Sequence, residues 1–90
     1  MHMEIEWDVD KAASNLNKHG VSFDEAATSL LDPAALAQED VSSASERRWV
    51  LVGMSSKVRL LTVVYTLRGD DRIRLISARK ATRKEAACYA

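Results

Sequence analysis

Four cations fall within six residues of one another near one end of this sequence: Arg79, Lys80, Arg83 and Lys84. Arg83 and Lys84 would sit in the first turn of a helix opened by Thr82, where the helix dipole disfavours cations by ~0.3–1 kcal/mol each. A sequence that accepts such a local conflict gains something else there. An anion is the natural candidate, because helix N-terminal N–H groups and arginine forks both suit phosphate. The bland alternative is a solvated basic surface. A second cluster is Lys18-His19-Gly20. Histidine's ordinary pKa, about 6.5, suits proton transfer at neutral pH, although a lone histidine in a last helical turn is often only a cap. Glu85 either closes a capping box with Thr82 or acts as a carboxylate among cations. Tyr89, one turn further on, is either core or a surface on which a base could stack. Arg74 adds a cation to the preceding strand.

Several chemistries are absent from the sequence. It has no G-x-x-x-x-G-K-[ST] loop, no G-x-G-x-x-G and no G-x-S-x-G. Three glycines are too few for a glycine-rich phosphate cradle. The single cysteine, Cys88, rules out an internal disulfide framework and any standard cysteine-based zinc site. Two histidines make no histidine-rich metal site, and His2, beside the first residue, is given little weight. No metal or cofactor is expected. No apolar run approaches the ~20 residues a membrane helix needs, and no basic-then-apolar leader opens the chain, so a cytoplasmic protein without membrane contact is expected. Arg, Lys, one His and one Glu lend themselves most simply to metal-free chemistry on a phosphate ester.

The elements that must position these residues are legible from their periods. Ninety residues suit a single domain over 1–90 with a modest core. Glu4-Ile5-Glu6-Trp7 alternates as a short strand. Val9, Ala12, Ala13 and Leu16 follow helical spacing, and Gly20 suits a left-handed C′ position, so a helix is expected over Asp10 to His19. Ser22-Phe23-Asp24-Glu25 is a capping box. Phe23, Ala26, Ala27, Leu30 and Leu31 then form an apolar stripe that Asp32-Pro33 ends. Pro33 to Ser45 reads as loop with a possible strand near residues 35–38. Arg48–Met54, Val58–Leu67 and Arg72–Arg79 read as strands joined by turns too short for crossover helices, hence antiparallel. A last helix runs from Thr82 toward Tyr89. Strict alternation places Arg72, Arg74, Ile76 and Ala78 on one face of the last strand, with Ile73, Leu75, Ser77 and Arg79 on the other. Trp7 and Trp49 are expected in the core.

Net charge is zero, yet the two halves differ sharply. Residues 1–46 carry two basic and ten acidic residues, a net of −8; residues 47–90 carry eleven basic and three acidic, a net of +8. Either the chain presents a basic surface to a polyanion or the two halves pair with each other.

Three blocks together resemble the BrnT toxin family. They are Glu6-Trp7-Asp8 with Lys11, Asn15 and the run Lys18 to Ala26; Glu46-Arg47-Arg48 with Gly53 and Leu61 to Thr66; and Arg74 to Glu85 with Tyr89. The resemblance covers residues 5–89. It implies an α+β, RelE-like fold: two N-terminal helices on an antiparallel sheet of three to four main strands, with a short C-terminal helix. It implies a type II toxin, an endoribonuclease that cuts RNA and arrests translation and growth. The implied partners are a cognate BrnA-like ribbon-helix-helix antitoxin and, through that complex, operator DNA. The resemblance supports the matched positions; the roles assigned to them here make Lys18, His19, Arg79, Arg83 and Glu85 candidate catalytic residues and Arg74, Lys80, Lys84 and Tyr89 candidate substrate-binding residues. Family members usually carry a larger polar residue near Ala86 and Ala87. A competing reading is a nuclease-dead module that only grips its antitoxin. The intact set of candidate residues favours the enzyme. A plain RNA-binding domain would need stacking aromatics on the sheet, where Trp49 and Tyr65 are better explained as core.

Overall fold

The computed structural model describes residues 3–41 and 46–89; His2 and residues 42–45 of the expected loop lie outside them. Along the chain the elements are β1 (Glu4–Glu6), α1 (Val9–His19), α2 (Phe23–Ser29), β2 (Leu36–Asp40), β3 (Arg48–Met54), β4 (Leu60–Arg68), β5 (Arg72–Lys80) and α3 (Arg83–Cys88). Both helix boundaries around Gly20 follow from caps. Gly20 takes φ +70° and its N–H closes α1 on the Leu16 carbonyl at 2.9 Å. Ser22 then accepts from the Glu25 N–H at 3.0 Å to open α2.

The sheet has five strands in the order β1-β5-β4-β3-β2. Strands β2 to β5 form the antiparallel meander that the short turns require. Two features correct the expected sheet of three to four antiparallel strands. The possible strand near residues 35–38 is a full edge strand. And β1 pairs with β5 in parallel, Glu4 with Arg72 through Glu6 with Arg74, so the sheet is mixed. The helices between β1 and the meander provide the crossover that a parallel pair needs.

The core lies between the sheet and α1/α2: Val21, Phe23, Ala26, Leu61, Val63, Leu75 and Ala78 are buried together, with Ile5, Trp7, Ala12, Leu30, Tyr65 and Ile73 packed around them. Trp7 meets the Phe23 ring edge-on, with centroids 6.0 Å apart. Trp49 corrects its expected place. It is half-buried outside this cluster, with the Arg47 guanidinium 5.9 Å from its ring centroid. On α1 the expected apolar stripe is also revised. Val9 and Leu16 are exposed and the buried residue is Asn15. Its amide donates to the Val21 carbonyl at 2.9 Å and the Ala78 carbonyl at 2.8 Å, and accepts from the Ala78 N–H at 3.1 Å. Beyond Arg74, β5 has no β1 neighbour, so Asn15 supplies the hydrogen bonds that a further strand would make.

Gly53 sets how closely α2 approaches the sheet. A Cβ there would lie 2.7 Å from the Ser29 carbonyl oxygen.

Candidate active site

The sheet face opposite α1 and α2 carries Arg74 and Arg79, and an irregularity in β5 brings them together there. Val64 pairs with Ser77 but Tyr65 pairs with Leu75, which makes Ile76 an extra residue, a β-bulge. Below the bulge Ile73 and Leu75 face the core; above it Ala78 does. Arg72, Arg74, Ser77 and Arg79 therefore share the opposite face. Strict alternation had separated Arg74 from Arg79, and the bulge unites them. Lys80, paired with the core residue Leu61, faces the α1/α2 side instead.

Arg79 is the best-anchored of the candidates. Thr62 pairs with it across β4 and β5. Two residues after the strand, Thr82 caps α3 in a complete capping box: its hydroxyl accepts from the Glu85 N–H at 3.2 Å, and its own N–H donates to Glu85 Oε1 at 2.8 Å. That return of the Glu85 carboxylate aims it at Arg79, whose Nη1 and Nη2 donate to Oε1 and Oε2 at 2.8 Å each. The Thr62 hydroxyl donates to Oε1 at 2.8 Å. Arg79 Nη1 also donates to the Lys80 carbonyl at 3.2 Å, which leaves Nε and one Nη2 hydrogen without a partner among the described residues. The Arg79 hydrogen bonds outweigh the opposing effect of burial and hold the Glu85 carboxyl down to about 2, helped by the Thr82 N–H and the Thr62 hydroxyl. The same contact raises the already high Arg79 pKa. Glu85 is thus a fixed anion, too weak a base to accept a proton near neutrality.

The second cluster lies along α1. Lys18 and His19 line a groove of about 230 Å³ with Lys11, Ser14, Asn15, Ile76 and Ser77. Ser77 and Arg79 lie two residues apart on one strand face, about 7 Å along the chain. Ser77 thus links the α1 groove to the strand face of Arg79, which does not itself line the groove.

The other candidates scatter. Arg74 donates to Glu6 at 2.9 Å and is not in contact with Arg79. Lys80, Arg83 and Lys84 are exposed and make no ion pair among the described residues. The Tyr89 hydroxyl donates to the Asp32 carboxylate, which also accepts from the Met54 N–H at 2.8 Å; this ties the end of α3 to the turn after α2. Those bonds hold the Asp32 carboxyl below the ordinary aspartate range, the Tyr89 contact contributing most. Among the described residues no group of three or more His, Cys, Asp and Glu side chains could hold a metal ion. Cys88 is free and exposed.

Sequence reasoning missed Thr62 and Ser77 as parts of the site. Thr62 had a signal, a hydroxyl in an otherwise apolar strand run. Ser77 had none, because its face depends on the bulge. Glu6 and Asp32 were read only as a strand residue and a helix stop.

A mixed five-stranded sheet, two helices on one face, and a short helix across the other beside a cluster of arginines define a small α+β protein. The family model for the ribonuclease toxin BrnT of type II toxin–antitoxin systems matches residues 7–85, and the chain belongs to that family. Among solved structures it is similar to the Brucella abortus ribonuclease toxin BrnT, with a TM-score of 0.71 and 24% identity over 90% of this chain and 99% of that one. Comparison with curated proteins gives no match. No helix among the described residues is long and apolar enough to cross a membrane.

Proposed function

We propose that this toxin cleaves RNA by attack of a 2′-hydroxyl on its own phosphodiester, with side chains rather than a metal ion supplying the electrostatics. The observation that carries the reading is the clamped Arg79, with two donors unpartnered among the described residues, on the strand whose Ser77 lines the groove of Lys18 and His19. Cleavage by this route needs alignment, removal of the 2′ proton, stabilisation of added negative charge and protonation of the leaving 5′-oxygen. Arg79 and Arg83 meet the phosphate charge. His19 carries the proton, and Lys18 binds the backbone beside it. Arg74 extends the electrostatic track along that face of the strand and Lys84 adds charge from α3, while Lys80 lies on the other side of the sheet. Glu85 acts through Arg79 as a positioning residue, and Tyr89 secures α3 on which Glu85 stands.

The test is cleavage of a defined RNA by the purified chain in EDTA, without ribosomes, beside Arg79→Ala. The native chain yields 2′,3′-cyclic phosphate ends, and Arg79→Ala loses about 10²-fold or more in rate, as for loss of one transition-state donor. Equal cutting by both would remove Arg79 from the site. If neither cuts, growth arrest on expression separates a ribosome-dependent toxin from an inert antitoxin-binding module.

In the cell the reading places the chain in the cytoplasm, paired with a BrnA-like ribbon-helix-helix antitoxin that silences it and represses their shared operator. Acidic or apolar antitoxin residues would suit the cationic face. Arg79→Glu with Arg83→Glu is expected to weaken that pairing at least tenfold by calorimetry; unchanged affinity would place the antitoxin elsewhere.

A further inference from the structure

The strand register assembles a row of side chains that neither Arg79 nor the His19 groove uses. Asp40 stands opposite Arg48 on β2 and β3, Thr66 opposite Arg74 on β4 and β5, and Glu6 beside Arg74 on β1. The Trp49–Tyr65 pair brings Arg48 alongside Thr66 one step on. The row thus crosses all five strands on the α3 face. Strands β3 and β5 run about 10 Å apart, a gap two arginine side chains can close above Thr66.

Arg48 is the odd member. It is half-buried, its Nε is shielded from solvent without a hydrogen-bond partner, and it makes no ion pair among the described residues. Thr66 offers it nothing, since that hydroxyl donates to the Arg47 carbonyl at 2.8 Å. Arg74 spends one bond on Glu6 and keeps its other donors, with its side chain 37% exposed. A guanidinium left unpaired while partly desolvated is unfavourable unless something else uses it. Two planar forks on one face, with a single threonine position between them, suit an acceptor with several oxygens.

We propose that Arg48 and Arg74 form a second phosphate subsite, which holds a flanking phosphate of the RNA strand cleaved at Arg79. The identity of the polyanion rests on the function proposed above; the subsite itself rests on the row. Arg74 and Arg79 share a face about 13 Å apart along β5, four ladder steps with the bulge counted once. An RNA strand would run along β5 past Ser77, with one phosphate at each end of that span. Glu6 and Asp40, at the two edge strands, confine the anion between the arginines.

The test uses a 2′-O-methyl oligoribonucleotide, which binds but cannot be cut, titrated at several salt concentrations against the full chain, Arg48→Gln and Arg48→Lys. Arg48→Gln should lose about tenfold in affinity near 0.1 M salt, and its log–log salt slope should fall by about 0.7, the value for one single-strand phosphate. Arg48→Lys should keep the slope. Because Arg48 makes no ion pair among the described residues and its Nε has no hydrogen-bond partner there, Arg48→Gln should melt no lower than the unsubstituted chain. Unchanged affinity and slope in Arg48→Gln would overturn the subsite. So would absence of oligonucleotide binding by the unsubstituted chain, or a lower melting temperature with the slope unchanged. An all-ribose version that stays uncut, with the Arg48-dependent slope intact, would sink the nuclease reading and leave the subsite standing.

Discussion

Glu85 serves three structural demands at once: it caps α3, accepts from Thr62 and clamps Arg79. Sequence reasoning posed capping and chemistry as alternatives for it, and the geometry joins them, because the box that opens the helix is what aims the carboxylate. Ser22 shows the contrast. It also caps its helix, but Glu25, which should reach back in the same pattern, turns away to Arg59 and Ser55. Two identical sequence signatures thus end in different bonds, decided by which arginine the sheet brings near. The expected consequence is that Glu85→Gln keeps most of the cap but releases Arg79. Stability should fall by about 1 kcal/mol, and kcat/KM for RNA cleavage by up to about 10²-fold, through misplacement of the arginine. The pH–rate profile is the discriminating readout. A positioning role leaves its shape unchanged, whereas loss of the acidic limb would make Glu85 the base.

At the level of elements, β5 depends on a side chain to finish its edge. Asn15 holds both backbone groups of Ala78 and the carbonyl of Val21 from inside α1. Asn15→Ala strands three buried polar groups, and urea denaturation should report a loss of about 3 kcal/mol. Asn15→Asp should fare no better, since its oxygens would face two carbonyls. Most elements were legible because their signals are local: caps at Ser22 and Thr82, Gly20 after α1, the apolar runs of β3 and β4. What stayed hidden is relational. Nothing around Ile76 marks a bulge, and the consequence, Arg74 and Arg79 on one face, depends on its pairing with β4. The parallel docking of β1 likewise needs β5 in place. Asn15 looked like a polar interruption of an amphipathic helix because the edge it completes is 63 residues away.

Across the whole molecule, the opposed charges of the two halves partly pair with each other across the fold. Of six ion pairs among the described residues, five join a carboxylate of residues 1–46 to an arginine of residues 47–90: Glu6 with Arg72 and Arg74, Glu25 with Arg59, Glu39 with Arg47, and Glu46 with Arg68. The antiparallel meander and the parallel β1 interleave the halves, and the exposed Lys80, Arg83 and Lys84 stay around α3. Most of these pairs are exposed and worth little each. Glu25 is the exception, with a side chain only 1% exposed and hydrogen bonds from Arg59 and Ser55. Those bonds, Arg59's foremost, hold its carboxyl down to about 2 against the effect of burial, as Arg79 does for Glu85. Both folded-state values lie below the ~4.3 of a free glutamate. The stability they confer is therefore complete above pH ~4.3 and disappears as pH falls toward 2. Linkage puts an upper bound of about 3 kcal/mol on the Glu25 contribution, and less on the more exposed Glu85. Urea midpoints measured from pH 7 to pH 2 should drop steeply only below about pH 4.3. Glu25→Gln should start lower at pH 7 and show a shallower acid drop, because the group that titrates has gone. An equally steep drop in that variant would show that the acid sensitivity of the fold comes from other carboxylates.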